Sequence, residues 1–194
     1  LSGSDVGVNY QLRVSGSPIG TAMAGTGSSL NFGPQTTGGT YTIVGTSTLT
    51  GCSATMTGSV NVVVNPLPTV YTITGGGSYC AGGTGVHIIL SNSDLGVDYQ
   101  LMNGTATSGS PMPGIGGPLD FGLQTVAGTY NVVATNGTTT CTNNMTGSAN
   151  VSINSLPASF TVTGGGSYCA GGTGHSIGLS GSAVGVNYQL YVDG

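Results

Sequence analysis

Two histidines, five aspartates, four cysteines and one arginine carry most of the acid–base, metal-binding and redox capacity of this 194-residue chain. General acid–base work needs a positioned partner, and neither His87 nor His175 has an acid close by in sequence. Asp94 and Asp98 flank a turn and could offer oxygens to Ca²⁺, but such sites gather several ligands, often more than one carboxylate. The runs Gly75-Gly76-Gly77 and Gly164-Gly165-Gly166 resemble a phosphate loop only in glycine count. No helix follows them to supply a dipole and the chain has no lysine, so they read as turns. Serine is plentiful, but a serine nucleophile needs an activating base. The expectation is a chain with no catalytic residues, no cofactor-binding residues and no metal ligands. The four cysteines, Cys52, Cys80, Cys141 and Cys169, are the remaining candidates for chemistry.

What positions these residues is a repeat. LSGSDVGVNYQL at 1–12 returns as LSNSDLGVDYQL at 90–101 and as LSGSAVGVNYQL at 179–190, a step of 89 residues each time (90 − 1 and 179 − 90). Cys52 and Cys141 keep that step, as do Cys80 and Cys169, and TGGGSYCAGGTG stands at both 74–85 and 163–174. The candidate chemistry does not keep it. His175 aligns with Val86 rather than His87, Asp98 is Asn in the other two copies, and Asp94 becomes Ala183 in the third. The expected organisation is a partial copy at 1–66, a complete one at 67–155 and a partial one at 156–194. Asn65-Pro66-Leu67-Pro68 and Asn154-Ser155-Leu156-Pro157 are the junctions, because proline stops a sheet ladder and stiffens the chain.

Within a copy the hydrophobic period is two. Val60, Val62 and Val64, then Val97, Tyr99 and Leu101, then Ala149, Val151 and Ile153 each alternate with more polar neighbours, the mark of strands with one buried face. Thirty-eight glycines argue against long helices. The complete copy predicts strands at 70–74, 86–91, 97–102, weakly at 106–111, then 119–123, 129–135 and 149–154. About seven short strands with turns between them indicate an all-β, immunoglobulin-like antiparallel sandwich repeated in tandem. The expected core is Ile73, Val86, Ile88, Leu90, Val97, Tyr99, Leu101, Leu119, Phe121, Tyr130, Val132, Val151 and Ile153. Ala127-Gly128-Thr129-Tyr130, matched by Gly38-Gly39-Thr40-Tyr41, sets a tyrosine at the start of the penultimate strand, as in a tyrosine corner.

Composition narrows the setting. Charged residues are 3% of the chain, far below the usual quarter. No apolar run approaches the ~18 residues of a membrane-spanning helix, and a net charge of −4 disfavours nucleic acid. The absence of lysine closes the Lys–Asn isopeptide route to a toughened fibre. With no tryptophan and most tyrosines at predicted core positions, sugar stacking has little to work with.

The run from NPLP through YTITGGGSYCAGGTG, GVDYQL and DFGLQTVAGTYNVVATN to CTNNMTGS resembles the Ig-like or PKD-like tandem repeats of giant secreted Bacteroidetes surface proteins. The resemblance covers the whole chain. It implies type IX export to the cell surface or beyond and work in adhesion or surface coverage, with no catalytic residues to transfer.

Cysteines in register indicate disulfides and an oxidising, extracellular compartment, with buried free thiols as the alternative; no CxxC pair points to zinc. One arrangement is Cys80–Cys141 inside the complete copy, with Cys52 and Cys169 paired outside the segment; it requires loops 75–85 and 136–148, which lie at opposite ends of a standard sandwich, to fold along the barrel edge. A second joins Cys80 to a cysteine about 150 residues onward, and a third is Cys52–Cys80 across the junction. Two functions follow. A stalk or filament shaft would have neighbouring repeats, and other copies of the fibre, as its partners. A repeated adhesive module would bind a glycan or surface weakly and gain avidity from the array. Loops 13–29 and 102–118 differ at most positions, which favours the shaft.

Overall fold

The computed structural model describes residues 1–192. Among them the chain is all-β with no helix, and it divides into two compact units, Leu1–Leu67 and Pro68–Gly194.

The first unit holds β1 (Val8–Val14), β2 (Ser17–Pro18), β3 (Met23–Ala24), β4 (Gly39–Ser47), β5 (Ser53–Thr55) and β6 (Val60–Val62). They form one antiparallel sheet in which β1 and β4 pair over seven residues, from Val8 opposite Ser47 to Val14 opposite Tyr41. Tyr10, Leu12 and Tyr41 are buried, as the two-residue period requires.

The second unit adds β7 (Ile73–Gly75), β8 (Gly77–Cys80), β9 (Val86–Leu90), β10 (Val97–Asn103), β11 (Ala106–Thr107), β12 (Met112–Pro113), β13 (Leu119–Gln124), β14 (Gly128–Asn136), β15 (Thr142–Asn144) and β16 (Ala149–Asn154). A seven-stranded sheet runs β11-β10-β14-β16-β8, with β12 against β10 and β15 against β14. A second sheet runs β13-β9-β7. One core lies among them: Ile73, Ile88, Leu90, Val97, Tyr99, Leu101, Leu119, Tyr130, Val132 and Val151 are buried together, as expected. Two sheets sharing a core in this way is the arrangement of a β-sandwich. Beyond these strands, β17 (Val162–Gly164) and β18 (Ile177–Leu179) form a two-stranded sheet.

Three expected core residues differ. Val86 and Phe121 are half-buried at the rim, and Ile153 is exposed because it lies past the end of β14 and pairs only with Tyr79 on the edge strand. Ala134, Met145 and Ala149 complete the core instead. Two segments expected to be loop are paired. β8 lies inside the glycine-rich 75–85 run, where Gly75 (φ 92°) and Gly76 (φ 76°) turn the chain from the β9 sheet to a parallel pairing with β16. A Cβ at Gly75 would stand 2.3 Å from the His87 carbonyl oxygen, so only glycine fits there. β15 lies in the 136–148 run and folds back on β14.

Candidate functional site

Cys80 ends β8 beside Asn154, and Cys141 sits in the β14–β15 turn, where its carbonyl accepts the Asn136 N–H at 2.9 Å. Along β14, Asn136 lies eight residues from Gly128. Gly128 is level with Val151, and Asn154 lies three residues further out. Eleven strand steps (8 + 3) at about 3.3 Å each put roughly 36 Å between the two levels, whereas a disulfide needs Cα atoms within about 7 Å. The expected Cys80–Cys141 bridge within one sandwich is therefore corrected: the two thiols stand at opposite ends, and no two of the four cysteines are bonded to each other. Cys52 repeats the placement of Cys141, its carbonyl accepting the Ser47 N–H, and both Cys52 and Cys169 are exposed.

The histidine that lacked an acid in sequence has one in space. His87 Nδ1 lies 2.8 Å from Asp120 Oδ2 across the β9–β13 pairing. That sheet carries a bulge between Asp120 and Leu123, built on Gly122 (φ 74°), whose N–H donates to Asp120 Oδ1 at 2.8 Å. The His87 hydrogen bond, then the Gly122 N–H, hold the Asp120 carboxyl below its ordinary range. Both side chains are about half exposed, so the pair is a solvated surface bridge of small energetic weight. His175 instead reaches the Ser167 carbonyl oxygen with Nε2 at 3.0 Å.

Asp94 is a structural acceptor. The Tyr71 hydroxyl donates to its Oδ1 at 2.6 Å, tying the segment that leads into β7 to the β9–β10 loop. That bond, with a smaller one from Thr69, holds the Asp94 carboxyl low, while the carboxylate raises the Tyr71 phenol. Asp94 N–H also donates to the buried Tyr99 hydroxyl at 2.9 Å, and burial first of all pushes that phenol up. Asp98 is exposed on β10, and no group of three or more His, Cys, Asp or Glu comes together among the described residues.

The most elaborate polar arrangement is structural. Buried Ser93 donates to Gly117 O at 2.6 Å and accepts from Ile115 N–H at 3.0 Å. Gln100 reaches from β10 to the carbonyls of Leu101, Ser108 and Gly109. Tyr130 donates to Val126 O at 2.8 Å, four residues upstream, which is the tyrosine corner expected from the Gly-Thr-Tyr placement. The Tyr71–Asp94 and His87–Asp120 pairs escaped sequence reasoning because each links residues on strands whose register no local pattern fixes.

Family models scanned against the chain give no match, and a search of curated proteins likewise returns none.

Proposed function

We propose that the chain is a length of shaft from a long extracellular fibre made of tandem immunoglobulin-like sandwiches. The observation that carries this is what recurs at the 89-residue step. The β1–β4 register is that of β10–β14 shifted by one repeat. Tyr10 accepts from Asp5 as Tyr99 does from Asp94. Tyr41 donates to Thr37 as Tyr130 does to Val126. Ser4 donates to Ser28 as Ser93 does to Gly117. These shared bonds hold a scaffold together and loops 13–29 and 102–118 differ at most positions, while the exposed TGGGSYCAGGTG block, which does not change, reads as a turn and junction element. Selection for length and stiffness produces that pattern; selection for a ligand would fix an exposed cluster.

The immunoglobulin-like assignment draws support from the strand order. β7, β9 and β13 correspond to strands A, B and E of one sheet, and β10, β14 and β16 to C, F and G of the other, with the tyrosine corner opening F. In this reading the protein is exported to the cell surface, like the secreted Bacteroidetes repeat proteins it resembles, and carries no catalytic role.

The test is electron microscopy of recombinant chains with two, four and eight copies. A shaft lengthens by a constant increment of about 36 Å or slightly more per copy, given ~3.3 Å per strand residue. Particles that grow in diameter instead would defeat the proposal. Binding to immobilised glycans that strengthens with copy number would favour the adhesive module.

A further inference from the structure

The complete copy carries one thiol at each end, and those are the ends where its chain comes in and goes out. Cys141 lies two residues before Asn143, whose Nδ2 donates to Pro68 O at 2.9 Å, so this thiol marks the entry. Cys80 is level with Asn154, the last residue of β16, and the Ala81 N–H donates to Asn154 O at 2.8 Å. That thiol marks the exit.

Both positions are held by local bonds that recur at the 89-residue step. Asn136 N–H donates to Cys141 O and Thr140 N–H to Asn136 O, both at 2.9 Å; Ser47, Cys52 and Gly51 make the same two bonds at 2.9 Å. The turn stays left-handed even where its glycine is replaced, with φ 72° at Gly51 and 58° at Thr140. A β-branched residue disfavours that conformation, so the fold imposes this turn against local preference. At the other end Gly83 N–H donates to Cys80 O, as Gly172 N–H does to Cys169 O, both at 2.9 Å. Cys52, Cys80 and Cys169 are exposed and Cys141 is half-buried, so an oxidant can reach them.

The roughly 36 Å between the two levels forbids a bond inside one copy. The junction sets no such distance. From Asn154 to Pro157, the counterpart of Pro68, there are three residues, at most about 11 Å of chain. The exit thiol of one copy and the entry thiol of the next thus flank the same short linker. We propose that Cys80 of each copy is disulfide-bonded to the Cys141 counterpart of the copy that follows, a staple at every junction. The partner of Cys80 then stands at position 230 (141 + 89), and by the same step the partners of Cys52, Cys141 and Cys169 also fall outside residues 1–194.

The bond forms by exchange with a disulfide such as oxidised glutathione. One protein thiolate attacks it and expels a glutathione thiolate; the second attacks the mixed disulfide and expels the other. Two protein thiols are oxidised, one glutathione disulfide is reduced to two thiols, and the two protons pass to the departing sulfurs. Successive staples overlap. The next exit thiol after position 230 is at 258 (80 + 178), so the shortest covalent path spends 28 residues on every two copies instead of 178.

The proposal rests on the tandem-array reading, which the fibre-length measurement tests separately: an array that lengthens evenly but is not stapled fails here alone. The experiment uses concatenated copies of 67–155, whose buried core lies wholly within 73–151. Each seam, Ser155 to Leu67, reproduces Ser155–Leu156. Chains at about 1 µM are oxidised with glutathione disulfide, and free thiols are counted in denaturant. Four copies hold eight cysteines, two per copy. The expected count is two, from the first Cys141 and the last Cys80. A count of eight, or of zero in a monomeric chain, overturns the proposal. In a two-copy chain, Cys80→Ser in the first copy should leave three free thiols, and the same change in the second copy one. Equal counts overturn it, because pairing within copies gives one in both. Stretched by force, the oxidised eight-copy chain should reach about 50 Å per copy and the reduced chain about 310 Å, at ~3.5 Å per residue. A contour length that reductant does not change overturns it as well.

Discussion

Gly114→Ala should unfold the second unit more effectively than most core truncations, although it adds only one methyl group. Gly114 has no left-handed φ, so the cost is steric. A Cβ there would stand 1.9 Å from Asp94 O, 2.8 Å from Asp94 C and 3.1 Å from Tyr99 Cε2. Unstrained contacts lie nearer 3.5 Å, so the Asp94 carbonyl would have to retreat by more than about 1 Å. It cannot do so freely. Asp94 O accepts the Val97 N–H, Asp94 N–H donates to Tyr99, and Oδ1 accepts from Tyr71 at 2.6 Å. Overpacking against a fixed neighbour costs about 3 kcal/mol at the upper end of its usual range, and one broken hydrogen bond adds about 1. For a unit of this size, each kcal/mol lowers Tm by about 4–8 °C, so a fall of roughly 15–30 °C is expected. Gly117→Ala, three residues on in the same loop, is the control. A Cβ there meets nothing within 4 Å and the backbone is not left-handed, so its stability should change by no more than about 0.5 kcal/mol. Urea and thermal unfolding followed by far-ultraviolet circular dichroism and tyrosine fluorescence give both numbers. If the two variants are within about 1 kcal/mol of each other, the packing argument is wrong.

Three further outcomes follow from the same geometry. Ser93→Ala strands the Ile115 N–H and the Gly117 carbonyl and should cost about 2 kcal/mol in urea unfolding; a neutral result would mean water replaces the hydroxyl. Tyr130→Phe removes the bond to Val126 O and should cost about 1 kcal/mol, read as a shift in midpoint with unchanged slope. The Tyr71–Asp94 bond makes stability pH-dependent. The Asp94 carboxyl is lowered on folding, so its contribution is full above about pH 4 and is lost as pH falls through the depressed value. The Tyr71 phenol is raised, so its share is present below about pH 10 and is lost as pH rises through the raised value. Tyr71→Phe should flatten the alkaline arm and reduce the acid one; unfolding curves from pH 2 to 11 that match wild type would refute the coupling.

The strands with a clean two-residue period were legible in the sequence. Val97-Asp98-Tyr99-Gln100-Leu101 announces a half-buried strand because each residue type matches its face. So does Tyr130, whose position after Gly128-Thr129 places both the ring and its hydroxyl. β8 and β15 were not legible. Gly77-Ser78-Tyr79-Cys80 has no apolar alternation, and its pairing is created by the sheet switch at Gly75 and Gly76 rather than by its own side chains. Met145 reads as loop within NNMTG, yet its N–H reaches Val132 O and its side chain enters the core, a tertiary outcome that no local window contains. The cysteine spacing was plain, and the sandwich fold expected from the sequence already sets loops 75–85 and 136–148 at opposite ends; what the sequence left open is whether they fold along the edge to meet, and β8 and β15 hold them apart.

The parallel pairing of β8 with β16 sets how the unit would respond to tension. Both strands run toward the end where the chain leaves, one near the start of the unit and the other at its close. A pull on the two ends of the unit drags these strands past each other along their length. The hydrogen bonds between Val151 and Gly77 and on to Asn154 and Cys80 are then loaded side by side and must rupture together. An antiparallel terminal pair would instead be peeled apart one bond at a time, at far lower force. Placing the parallel ladder where the chain comes in and goes out would make a few ordinary backbone bonds act as a mechanical latch, a device open to a chain that has no lysine for cross-links.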